Sequence, residues 1–313
     1  MYEIGGYFGL EQLVSNEYYR DLVAVNSARN ALLYLSMTHN IKKLIIPYLL
    51  CDSISYLCDK SHIDYEYYHV SRDFQPIYNN ELREGEYLYI VNYYGQVDNN
   101  TIIKLKKRYI NIIVDNAQSF FQRPVVGVVT IYSCRKFFGV PDGAYLSSVP
   151  KLDHLQIDVS KDRMKHILGR YEGNATDYYN DFKANEDSFY ECDLKYMSRL
   201  THNLLGAIDY NLIKKRREKN YSQLENELKH NNPLYIHKPI GPFAYPYYHV
   251  KGTELRQLLR ENYIYIPTLW PSVPNITGSV ETDYVSNIIA LPCDQRYTIT
   301  DMKRIVGIIR NFN

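Results

Sequence analysis

Tyr87-Leu88-Tyr89-Ile90-Val91, then Thr101-Ile102-Ile103-Lys104-Leu105-Lys106-Lys107-Arg108-Tyr109, then Ile110 to Val114 follow one another along the chain, and their order decides the fold. The outer two runs are apolar and strand-sized. The middle one has helical spacing, with Thr101 as a possible N-cap and basic residues in its last turn. Strand, crossover helix, strand is the unit from which a parallel sheet is built.

Leu44-Ile45-Ile46 and Val125 to Tyr132 supply two more strands. Asn26-Ser27 ahead of Ala31-Leu32-Leu33-Tyr34-Leu35 predicts a helix starting near Ser27. This alternation predicts an α/β fold, a mostly parallel central sheet with flanking helices. Past residue 150 the pattern changes. A polar stretch, 151–190, leads to Met197, Leu200, Leu204, Ile208 and Leu212 at helical spacing, which predicts one long connecting helix. Its continuation, Lys214-Lys215-Arg216-Arg217-Glu218-Lys219, reads as a solvated face. The last third mixes strand-like Tyr245 to Val250 and Tyr263 to Ile266 with helices at Thr253 to Asn262 and Asp301 to Phe312. The expected organisation is a large α/β domain over 1–190, then the connecting helix and a small C-terminal α+β domain over 191–313.

The 313 residues carry 36 Lys and Arg against 35 Asp and Glu, which removes the basic field that non-specific nucleic-acid binding needs. No run approaches the roughly 20 apolar residues of a membrane span. The first fifteen residues lack a basic start followed by an apolar block, so a cytoplasmic location is expected. Five scattered cysteines without a CxxC pair, and nine histidines without HExxH or HxH, suggest neither a disulfide framework nor a metal site.

In open α/β sheets ligands sit beyond the carboxyl ends of the strands. Here those ends lead into Pro47-Tyr48-Leu49-Leu50-Cys51, Asn92-Tyr93-Tyr94-Gly95, Asp115-Asn116-Ala117-Gln118 and Ser133-Cys134-Arg135-Lys136. No GxGxxG follows a strand and no GxxxxGK[ST] exists, which removes the common dinucleotide and P-loop sites. A carboxylate and a lysine at neighbouring strand ends remain, with a helix start near Ser27. Pyridoxal 5'-phosphate needs such parts: a lysine to carry it, an acid facing its ring nitrogen, and a helix N-terminus for its phosphate. Lys136 and Asp115 would be catalytic, and Gln118 would reach the ring hydroxyl. Each residue alone has an ordinary structural explanation; the ordered set carries the argument.

That set resembles the sugar-nucleotide aminotransferases of the DegT/StrS type, whose fold is the type I fold of pyridoxal phosphate enzymes. Phe8-Gly9-Leu10-Glu11 resembles the family's FxxE segment, and Asn26-Ser27-Ala28-Arg29-Asn30-Ala31-Leu32 its SGTxAL phosphate loop. Val114-Asp115-Asn116-Ala117-Gln118 resembles the acidic DxxQ motif, and Ser133 through Gly143 the serine, lysine and Gly-Gly run. The resemblance implies that Ser27, Ala28, Arg29, Cys51, Asp115, Gln118, Ser133 and Lys136 bind the cofactor. Arg29 stands where the family has threonine, Cys51 where it has the ring that stacks on the pyridine, and Ala144 replaces the second glycine. Tyr48 or Tyr93 is the substitute stacking ring, and Tyr48, Tyr93 and Tyr94 are expected to face substrate. The implied reaction moves an amino group, with glutamate as donor, to a keto-deoxysugar carried on a nucleotide, in surface polysaccharide or amino-sugar biosynthesis. A homodimer with active sites at its interface is implied as well. The rivals are another pyridoxal phosphate reaction on the same sugars, and a non-catalytic relative that binds a sugar nucleotide or a partner protein.

Overall fold

The computed structural model describes residues 4–312. After an extended N-terminal segment come β1 (Val23–Val25), α1 (Ala28–Thr38), β2 (Lys43–Pro47), α2 (Asp52–Lys60), β3 (Asp64–Val70) and β4 (Pro76–Ile77). Next are β5 (Glu86–Val91), α3 (Asn99–Tyr109), β6 (Ile112–Asp115), β7 (Val129–Ser133) and β8 (Ala144–Ser147). These eight strands form one sheet in the order β1-β8-β7-β6-β5-β2-β3-β4. The pairs β3–β2, β2–β5, β5–β6 and β6–β7 are parallel; β8, β1 and β4 attach antiparallel. The inner parallel strands β2, β5, β6 and β7 are largely buried and read as apolar runs, whereas β3 (DYEYYHV), near the sheet edge, alternates exposed and buried residues.

The predicted helix start near Ser27 holds: Ser27 Oγ accepts from Asn30 N–H at 3.0 Å. The crossover helix begins three residues earlier than predicted, because Asp98, not Thr101, is its N-cap and accepts from Thr101 N–H at 2.8 Å. The run from Val125 pairs only from Val129. Gly127 at φ +72° and a Val128 N–H to Val125 carbonyl bond first close a turn.

The polar stretch folds into α4 (Lys165–Glu172) and α5 (Tyr179–Glu191). The expected single connecting helix is two, α6 (Arg199–Gly206) and α7 (Tyr210–Leu228). Asp209 accepts from Leu212 N–H at 2.9 Å and so starts a new helix where the old one was to continue. The solvated face within α7 is interrupted, since Arg217 is buried. Then follow β9 (Ala244–Tyr248), α8 (Gly252–Glu261), α9 (Val280–Asn287), β10 (Ile288–Pro292) and α10 (Ile299–Phe312). Tyr263 to Ile266 is not a strand: Tyr263 (φ +59°) and Ile264 donate to Arg260 and Leu259 carbonyls, and close the end of α8. Antiparallel β9 and β10 share a separate core with α7, α8 and α10, built on Tyr221, Leu224, Leu259, Leu291, Met302 and Ile309. No helix among the described residues is long and apolar enough to cross a membrane.

Candidate active site

Because β2, β5, β6 and β7 run parallel, their carboxyl ends open at one edge, as the sequence predicted. Register then fixes what meets there. Val91 pairs with Asp115 and Asp115 with Ile131, so Ser133 ends β7 one side-chain step beyond the acid. Ser133 pairs with Ala144 and Ala144 with Val25, which carries the start of α1 to the same edge. Gly143 completes this corner: its N–H donates to Asn26 carbonyl at 2.8 Å and its carbonyl accepts from Cys134 N–H at 3.0 Å. Its φ is +117°, and a Cβ there would lie 3.1 Å from both Met197 and Thr201, so glycine is required.

At the acid end, Asp115 Oδ2 accepts from Tyr89 Oη at 2.9 Å and Oδ1 from Ala117 N–H at 2.8 Å. Tyr89 is buried on the neighbouring strand. Burial first, then Asp115, holds its phenol well above the usual tyrosine range, so it stays a donor. Sequence reasoning missed Tyr89; the signal was its place two residues before Val91, on the face of β5 that meets Asp115. Gln118 is also buried, and its Oε1 accepts from Tyr94 N–H at 2.9 Å.

At the other end of the edge, Ser27 and Ala28 begin α1 and Arg29 lies in its first turn. The Arg29 guanidinium carbon sits 4.0 Å from the centre of the Tyr190 ring. Arg29 Nε and Nη1 are buried without a hydrogen-bond partner, an expensive state for a cation that an anion would relieve. Tyr190, at the end of α5, is a second residue that sequence reasoning missed. Burial and then Asp52 raise its phenol, and Arg29 opposes them.

Lys136 lies between these ends, on the turn after β7. Its side chain is exposed, with no hydrogen bond or ion pair among the described residues. The preceding Arg135 pairs with Glu186 of α5 and stacks at 4.2 Å on the Phe189 ring. Its burial pushes the guanidinium down to about 10.

The tyrosines differ from expectation. Tyr93 and Tyr94 are packed inward against Phe74 and Trp270, and Tyr93 Oη donates to Leu49 carbonyl. Both rings are buried by these contacts and so do not stand open to a substrate, with Tyr94 at φ +52°. Tyr48 stacks on Tyr67 at 4.7 Å, with His69 at 4.8 Å, which turns it toward β3. Cys51 is exposed at the start of α2.

No protein-family model matches the chain, and no curated protein matches it. Solved structures do. A DegT DnrJ EryC1 StrS aminotransferase from Brucella abortus is 16% identical, with 93% of this chain and 85% of that one covered at a TM-score of 0.61. Helicobacter pylori PseC, an aminotransferase of pseudoaminic acid biosynthesis, is 15% identical, with 93% and 86% covered at 0.58. The Escherichia coli GDP-4-keto-6-deoxy-D-mannose-3-dehydratase, solved with hydrated pyridoxal phosphate, is 11% identical, with 92% and 87% covered at 0.61. At these identities the likeness assigns a fold: the chain has the type I fold of the DegT/StrS sugar aminotransferases.

Proposed function

We propose that this chain is a pyridoxal 5'-phosphate-dependent aminotransferase acting on a nucleotide-linked keto-deoxysugar, with glutamate as amino donor. The observation that carries the reading is the placement of Asp115, Lys136 and Arg29 along one edge of a parallel sheet, with two Arg29 nitrogens buried and unpaired. The cofactor, when bound, supplies the electron sink for a carbanion at the amino-bearing carbon. Asp115, aimed by Tyr89 and Ala117, would face the ring nitrogen. Ser27, Ala28, Arg29 and Ser133 would hold the phosphate through the start of α1 and a guanidinium. Lys136 Nζ, which has no competing partner among the described residues, would carry the cofactor and then move a proton at the substrate carbon. The donor, the sugar nucleotide, a homodimer, a cytoplasmic location and a place in polysaccharide or amino-sugar biosynthesis extend the reading by resemblance.

A non-catalytic ligand-binding role is the second reading. It is favoured by α5, whose Glu186 and Tyr190 lie on Arg135 and Arg29, and by the inward Tyr93 and Tyr94. Absorbance spectra of the purified protein with pyridoxal phosphate, before and after glutamate, separate the two. The enzyme reading expects a bound chromophore that changes with glutamate and that borohydride fixes to Lys136. A colourless protein with no adduct by mass spectrometry overturns it in favour of binding.

A further inference from the structure

Among the described residues Arg217 heads the fully buried side chains by size, and no carboxylate there bonds to it. Asp294, whose charge favours the Arg217 cation, is itself held by Arg296 through bonds of 2.7 and 2.8 Å. Arg217 instead donates only to neutral acceptors: Nε to Gln295 Oε1 at 2.7 Å, Nη1 to Pro242 carbonyl at 2.8 Å and Nη2 to Phe137 carbonyl at 3.2 Å. Gln295 Nε2 donates to the same Phe137 carbonyl at 2.7 Å. The Phe137 ring lies 4.5 Å from the guanidinium. Desolvation pulls the group down to about 10. An apolar side chain would fill this space without the cost of a buried cation, so packing alone does not account for it.

Both side chains converge on the carbonyl of the residue that follows Lys136. Within that turn the backbone bonds are few: Phe137 and Phe138 N–H both donate to Cys134 carbonyl, at 3.0 and 2.9 Å. Lys136 is exposed and its long stem is free to rotate, so what the protein can fix is the direction in which its Cα launches it. We propose that Arg217 and Gln295 are positioning residues for Lys136, a two-donor clamp that ties the lysine turn to α7 and to the loop after β10. The proposal rests on the assignment of Lys136 as the cofactor lysine.

The test uses three variants: Arg217→Met with Gln295→Leu, which removes charge and bonds at similar volume; Arg217→Lys, which keeps charge without the fork; and Gln295→Leu alone, which is the mildest. Three quantities are read on each: the rate at which borohydride fixes pyridoxal phosphate onto Lys136, affinity for inorganic phosphate, and hydrogen exchange at the Phe137 and Phe138 amides. All three variants should bind phosphate like the native chain, yet modify Lys136 more slowly, by about tenfold in the double variant, with adducts spreading to other lysines. The two amides should exchange faster while those of α1 and β6 do not change. Native-like rate and selectivity at Lys136 in every folded variant overturns the proposal. If the native protein itself forms no Lys136 adduct, the functional reading falls, and unchanged amide protection in the variants would then sink the clamp as well.

Discussion

The two ends of the sheet edge are built differently. At the acid end, both oxygens of Asp115 are bonded and Gln118 is anchored, all by neighbours that sheet register or the adjoining turn supplies. At the phosphate end, two buried nitrogens of Arg29 have no hydrogen-bond partner, and a ring from α5, far along the chain, covers them. The first end is satisfied within the chain; the second leaves two donors open among the described residues, which the proposed phosphate would satisfy. A site of this kind fixes its chemistry in the scaffold and gains its last stabilisation from what it binds.

The most severe way to break this arrangement is to remove what lies between the ends. Lys136→Ala should abolish the borohydride-fixed adduct altogether while leaving thermal stability near that of the native chain, because the side chain is exposed and unpaired. A persisting adduct at the same stoichiometry would show that another lysine serves. At the acid end, Asp115→Asn keeps the shape and an acceptor for the Ala117 N–H, and its amide can donate to Tyr89 Oη, so folding should be nearly unchanged. Transamination should nevertheless fall on the order of 10³-fold, since a neutral amide no longer holds a proton on the ring nitrogen. Turnover within a few fold of native would reduce Asp115 to a turn residue.

The phosphate end should respond in affinity, not in rate. Arg29→Ala removes one charge-assisted contact and should weaken pyridoxal phosphate binding about tenfold. Pyridoxal, which lacks the phosphate, should bind both proteins alike. Equal phosphate-ester affinity for the two proteins would leave the unpaired nitrogens without a functional meaning and would dissolve the contrast between the ends.

How much of this the sequence displayed follows from how local each signal is. The inner parallel strands were legible because burial leaves unbroken apolar runs, while the half-exposed, polar β3 was missed; Ser27 was legible because capping is a contact between residues three apart. The roles proposed for Asp115 and Lys136 rest on the experiments above, but the strand ends that carry the two residues were legible as the ends of apolar runs. Tyr89 was not, since its partner lies 26 residues away across a register that no single strand displays. Tyr93 and Tyr94 were misread because a tyrosine after a strand looks the same whether it turns out or in. Arg217, set in a run of basic residues, gave no sign that one position of six faces a core. Tyr190 reaches Arg29 only through the fold of α5, inside a stretch whose composition reads as polar surface.

The smallest effects compare two helix caps. Ser27 caps α1 at the phosphate end, and Asp98 caps α3, the helix that feeds β6 and the acid end. Replacing either with alanine should lower stability by about 1 kcal/mol at neutral pH. The two deficits should then part with pH. The Thr101 amide holds the Asp98 carboxyl below its usual range, so its contribution is complete above the unfolded value and is lost as pH falls through the folded one. The Asp98→Ala deficit should therefore shrink toward zero in acid, whereas the Ser27→Ala deficit should persist, because a hydroxyl does not titrate there. Ligand separates them again: inorganic phosphate should raise the melting temperature of the native chain and of Asp98→Ala equally, and that of Ser27→Ala by less. Equal phosphate responses in all three proteins would remove the start of α1 from the anion site and leave Ser27 as a cap alone.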